Sequence, residues 1–217
     1  MQYSRVPGDG QRSLAKISRI KANNPAFVLM TVMCLAGCDP KPPTSSNAES
    51  RSPMPDHPAT FKIARPASDD NLAFDILDVI WEKADFYSDE PTYLRSVEPA
   101  TKGQLGIYAA TWYIFEVNNG GHHQFFFNST GMVWQQALEG FTLLGAEKHK
   151  AILEQAVRLF PNAQPSKDRQ VRYDQLEAID SDKFDPLDDQ LYGLAEDFDE
   201  LVIKYIYLHL DEFFTDP

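Results

Sequence analysis

The residues whose types and spacing could do chemistry crowd into one stretch, Glu116-Val-Asn-Asn-Gly-Gly-His-His-Gln-Phe-Phe-Phe-Asn-Ser-Thr-Gly131. A metal is one option for Glu116, His122 and His123. Adjacent histidines, however, seldom converge on one ion without a third rigid ligand, and no pattern brings His149 or His209 beside them. General-base chemistry is a second option. Glu116 would then need a raised pKa and a partner acid, and no such partner is evident in the sequence. A hydrolase using Glu116 with His122 or His123 is the resulting enzymatic alternative. The third option is a rigid corner built from Glu116, Asn118, Asn119, Gly120, Gly121, Gln124, Phe125, Phe126, Asn128, Ser129 and Gly131. Near a helix C-terminus the backbone dipole disfavours a negative charge, so Glu116 needs compensating donors. The amides of Asn119 and Asn128, or backbone N–H groups of the turn, are candidates. The glycines let the chain double back, and Phe125, Phe126 and Phe127 would fill the core beneath. The structural reading is preferred, with no catalytic residue, no metal and no cofactor expected.

The elements that hold this stretch read as helices throughout. Ser68 or Asp69 can cap a first helix, whose apolar positions Leu72, Ile76 and Val79 are joined by Phe74, Leu77, Ile80 and Trp81 on a wide face. A break falls at Glu98-Pro99. A second helix starts near Thr101, places Leu105, Tyr108, Trp112 and Phe115 at helical spacing, and stops at the asparagine and glycine pairs. Gln124–Phe127 reads as a short apolar piece, followed by capping residues Asn128, Ser129 and Thr130. A helix from Gly131 to Leu144 points Trp134, Leu138 and Phe141 inward and ends at Gly145. Another runs from Glu147 to Phe160, and Tyr173–Ile179 suggests a short one. Asp185-Pro186 opens a last helix, proline being harmless in the first turn. Its apolar residues Leu187, Leu191, Leu194, Phe198, Leu201, Tyr205 and Leu208 form one narrow seam. The expected fold is all-α: a single compact domain of about six helices over residues 68–217.

Charge is divided unevenly. The net charge is −12, but residues 1–37 carry five basic side chains and one acid, leaving 15 basic and 31 acidic residues, a net charge of −16, for the rest. So acidic a body repels nucleic acid and attracts basic proteins or cations. Nine acids and one lysine fall between Asp180 and Glu200. Asp188, Asp189, Glu196, Asp197, Asp199 and Glu200 are the expected partner-binding face, because carboxylates on a helical frame can imitate a phosphate array. No serine–histidine–acid order, phosphate loop or nucleotide fingerprint occurs. Both cysteines, Cys34 and Cys38, lie near the N-terminus, so thiol catalysis, disulfides and cysteine metal sites are excluded from residues 68–217.

The first 37 residues have the pattern of a targeting segment. A basic region precedes the largely apolar run Ala26–Gly37, too short to span a bilayer, which takes roughly 20 apolar residues. The run ends Leu35-Ala36-Gly37-Cys38, which resembles the lipobox of bacterial lipoproteins, where the cysteine is acylated. In such proteins an aspartate like Asp39 favours the inner membrane. Residues 38–67 follow as a proline- and serine-rich linker, extended and burying little.

The central stretch, read as Glu116-Val-Asn-Asn-Gly-Gly-x-x-Gln-Phe-Phe-x-Asn-Ser-x-Gly131, resembles the signature of a bacterial DNA-mimic protein family. The similarity continues through Ala137-Leu138 and Phe160-Pro161, more weakly to the Tyr205 helix, and covers roughly residues 70–215. His122 and His123 depart from it, one aromatic being expected there. The resemblance implies an all-helical fold and, for the mimic, an acidic surface that occupies a transcription factor's DNA site. The expected function is a non-enzymatic acidic module that binds a basic protein or domain and is tethered to the periplasmic side of the bacterial envelope. A tethered inhibitor of immunity type would fit. A membrane contacted through the lipid anchor and a second copy in a homodimer are its other expected partners; direct nucleic-acid binding is not expected. The main alternative is DNA mimicry in the cytoplasm.

Overall fold

Helix-forming periodicity and well-chosen caps account for most of the architecture in the computed structural model, which describes residues 60–195 and 197–216. The helices are α1 (Leu72–Trp81), α2 (Glu90–Ser96), α3 (Lys102–Phe127), α4 (Trp134–Leu144), α5 (Glu147–Arg158), α6 (Arg169–Glu177), α7 (Asp185–Tyr192), α8 (Phe198–Leu208) and α9 (Leu210–Phe213). Short 3-10 turns lie at Ser129–Val133, Pro161–Ala163 and Ser181–Lys183. Among the described residues there is no strand, only an isolated bridge between Ile63 and Phe214. The fold is all-α, as the sequence indicated, with a finer division into helices.

α3 is the axis. Thr101 opens it with a capping box: its hydroxyl accepts from Gln104 N–H while the Gln104 side chain accepts from Thr101 N–H, satisfying two donors that a helix start leaves free. The buried face is not the predicted Leu105, Trp112 and Phe115, which are half-buried, but Gln104, Ile107, Ala109, Ala110, Tyr113 and Val117 around Tyr108. α4 lies so close that a side chain on Gly140 would overlap the carbonyl oxygen of Gly106. Glycine at both positions lets two helix backbones touch, which no larger residue permits. At the far end α4 stops at Gly145 in the left-handed conformation, φ 69°.

Three departures have physical causes. The predicted first helix begins at Leu72, just after Asn71, and not at Ser68, whose hydroxyl instead accepts from Asp70 N–H. α2 escaped sequence notice because it is short; Asp89 caps it, accepting from Thr92 N–H, with Pro91 in the first turn. The long seam from Leu187 to Leu208 is broken after Tyr192. Asp197 caps a fresh helix by accepting from Glu200 N–H, so an aspartate taken for a face residue does local backbone work.

Phe61, assigned to the linker by sequence, is fully buried. Its carbonyl accepts from Gln104 Nε2 at 2.8 Å, and Ile63 exchanges backbone bonds with Phe213 and Thr215. Residues from Thr60 therefore already belong to the folded body. Cys38, Asp39 and the leader lie outside the described residues.

Candidate functional site

The corner forms where α3 kinks. Gly120 (φ −160°) and Gly121 (φ 76°) leave helical geometry, and the chain then resumes as helix through Phe127. Gln124–Phe127, expected as a loose apolar piece, is thus helical. Only Gly121 needs the left-handed region. It is further constrained because a side chain there would overlap the carboxylate of Asp188.

Glu116 lies just before the kink and is 2% exposed. One oxygen accepts from Gln124 Nε2 at 2.8 Å and Asn128 Nδ2 at 3.0 Å, the other from Thr130 Oγ1 at 2.8 Å. Of the donors proposed from sequence, Asn128 serves and Asn119 does not, being exposed like Asn118. Asn128 and Thr130 turn toward the carboxylate; neither caps the following turn. Three hydrogen bonds to one ionised group make a buried charge tolerable.

Arg172, which sequence reasoning missed, completes the corner. It is fully buried, yet it contacts no carboxylate. Its guanidinium donates to the carbonyls of Phe126 (2.8 Å), Asn128 (2.8 Å), Ser166 (2.7 Å) and Lys167 (3.1 Å). Burial pushes its pKa down to about 10. Two of those carbonyls lie at the C-terminal end of α3, where a cation is favoured, and Arg169 donates to a third, that of Phe127, at 3.2 Å. Gly131 leaves room for this: a side chain there would crowd Phe125 O at 2.6 Å and Arg172 Nε at 2.8 Å. An arginine in a short polar helix carries no local sign of this role. Beside it Lys167 donates to Met132 O and lies over the Trp134 ring, and burial lowers its pKa to about 8.

The aromatics divide. Phe125 and Phe126 are fully buried, whereas Phe127 is half-buried, with Arg169 over its ring at 5.4 Å.

The two histidines part company. His123 is half-buried and stacks on Phe127. His122 is fully buried, with Nε2 2.7 Å from Tyr113 Oη and Nδ1 bonded to Asp188, which also accepts from His122 N–H at 2.8 Å. The proton belongs on Nδ1 in this network, leaving Nε2 to accept from the tyrosine. An acid–histidine–hydroxyl chain has the form of a relay. Its terminal hydroxyl is fully buried, and burial, then the nearby Asp188, push the Tyr113 pKa well above the ordinary tyrosine value. It locks α7 onto the kink and offers no reachable nucleophile. Glu116 and His122 therefore have separate partners, and the structure does not assemble them into one acid–base pair.

Asp188 is thereby withdrawn from the expected acidic face. Asp189, Asp197, Asp199 and Glu200 remain exposed, and Glu196 lies outside the described residues. Among the described residues no group of three or more His, Cys, Asp or Glu could hold a metal ion, and no helix is long and apolar enough to cross a membrane.

Fold and site together define an acidic all-α protein whose longest helix is bent at a glycine pair and locked by buried polar side chains. Residues 98–209 match the model of the DMP19-like protein family, more than half of the chain, and the chain belongs to that family. The family takes its name from a DNA-mimic protein. No curated protein and no solved structure matched the chain. The matched span holds the corner and the acidic helices; α1, α2 and the Phe61 segment lie before it.

Proposed function

We propose that this chain is a non-enzymatic acidic module that occupies the basic, DNA-binding type of surface on a protein partner. The observation that carries this is family membership combined with exposed carboxylates at Asp189, Asp197, Asp199 and Glu200. Like charges held close on a fixed frame repel one another, and a basic partner relieves that repulsion. The corner supports the absence of catalysis, since Glu116 is enclosed by donors and the His122 relay ends in the core. The test uses the full-length chain as bait. The captured partner is expected to be basic, displaced by duplex DNA and released by salt. The combined variant Asp189→Asn, Asp199→Asn, Glu200→Gln is expected to weaken binding about tenfold, from surface charge pairs of about 0.2–1 kcal/mol each. Capture indifferent to salt, DNA and these substitutions would count against it.

A second reading concerns address, and the run Leu35-Ala36-Gly37-Cys38 favours it. Acylation of Cys38 would tether the module to the envelope, inner membrane favoured by Asp39, with a basic partner outside the cytoplasm; an immunity-type inhibitor is one such role. Two acyl chains suffice for stable anchoring. Intact-mass analysis of membrane fractions is expected to show Cys38 as an acylated N-terminus. An unprocessed leader on a soluble protein would return the module to cytoplasmic DNA mimicry.

A further inference from the structure

Tyr192 is 52% exposed although its hydroxyl is engaged. That hydroxyl donates to the Val117 carbonyl at 2.8 Å, one turn before the kink. The bond pins the ring edge and leaves much of the ring to solvent. Asp189 precedes it by three residues on α7, the spacing that puts two side chains on one helix face. Their proximity shows in the Tyr192 pKa, which is raised by burial and then by Asp188 and Asp189. Asp188 is committed to His122, so Asp189 is the carboxylate left facing outward. Among the described residues no lysine or arginine lies over the Tyr192 ring, and none pairs with Asp189.

Elsewhere in the protein a tyrosine and a carboxylate, there joined through the tyrosine hydroxyl, hold an arginine. At Tyr207, also exposed, the Arg65 guanidinium lies over the ring, 5.7 Å from its centroid. Asp69 binds both, 3.6 Å from Arg65 and 2.5 Å from the tyrosine hydroxyl. A ring face supplies the quadrupole, a carboxylate supplies the charge, and a planar guanidinium satisfies both.

From this we infer that Tyr192 and Asp189 form a seat for an arginine side chain of the basic partner, a site that rests on the acidic-face function proposed above. Lysine fits it less well, because a compact ammonium offers no plane to lie along the ring and gives up a stronger hydration shell to reach it. The seat supplies what carboxylates alone cannot: preference for one basic side chain over another of equal charge.

Hexa-arginine and hexa-lysine peptides are titrated into the full-length chain at low ionic strength. The arginine peptide is expected to bind about two- to fivefold more tightly, the size of an exposed cation–π contact. Tyr192→Leu should remove that preference, weakening hexa-arginine by about two- to fivefold and hexa-lysine by less. Tyr192→Phe should keep it, and Asp189→Asn should weaken both peptides. A preference that survives Tyr192→Leu, or no preference in the parent protein, overturns the seat and leaves the acidic-face function standing. Failure of both peptides to bind overturns both. Should Tyr192→Leu lose its helical circular dichroism, Asp189→Asn decides: unchanged affinity for hexa-arginine overturns the seat.

Discussion

Glu116→Ala is expected to destabilise the protein by about 3–5 kcal/mol, measured as a lower urea midpoint with an unchanged slope. The substitution strands three donors, the buried Thr130 Oγ1 and the part-buried Gln124 Nε2 and Asn128 Nδ2. Each unsatisfied buried group costs about 1–3 kcal/mol, and partial relaxation keeps the total below the sum. Glu116→Gln should cost less, since an amide oxygen still accepts from one or two of them. Against a total stability of about 5–15 kcal/mol, the alanine change is severe. A general base would behave oppositely: turnover lost, stability near normal. A Glu116→Ala protein within about 1 kcal/mol of the parent would refute the account of the corner.

Arg172→Leu is expected to cost a similar amount, about 3–5 kcal/mol. Leucine replaces the buried stem but none of the bonds to four carbonyls, each worth about 1.5–3 kcal/mol when the donor is charged. The C-terminal end of α3 would lose its cation as well as its donors. Arg172→Lys should restore only part, because an ammonium has three donors around one point and cannot reach in two directions. Asn128 receives from Arg172 through its carbonyl and donates to Glu116 through its amide. Losses at the two sites should therefore be less than additive in the double variant, by about 0.5–3 kcal/mol. Full additivity would mean that the two charges are held independently.

Local signals account for much of what was legible. Thr101 with Gln104, Gly145, and the glycine pair at 120–121 each act within one turn of backbone, so these helix boundaries can be read from neighbours in the chain, although the glycine pair reads as a stop and proves to be a kink. The same holds for the need of Glu116 for donors, since it follows from where the acid sits along its helix. Periodicity was less informative for α3. α4 packs against it through Gly106 and Gly140, and Trp81 of α1 with Phe86, from the connection after it, covers another side, so apolar contacts surround much of the helix and no single stripe marks the core. The break between α7 and α8 was hidden because both halves happen to keep their leucines in step.

What the chain determined by itself is thus the all-helical class, the strongly acidic character, the helix start at Thr101, the stop at Gly145 and the loss of regular helix at the glycine pair after Glu116. These depend on residue type and on separations of a few positions. Tertiary structure alone decided that Gln124 and Thr130 join Asn128 around Glu116, that Arg172 closes the end of α3 from 46 residues away, and that Asp188 turns inward to His122 while Asp189 stays out. The physical reason is distance along the chain. A buried charge must find partners, but which partners reach it depends on how helices cross, and that geometry is set by glycine contacts and core packing far from the charge itself.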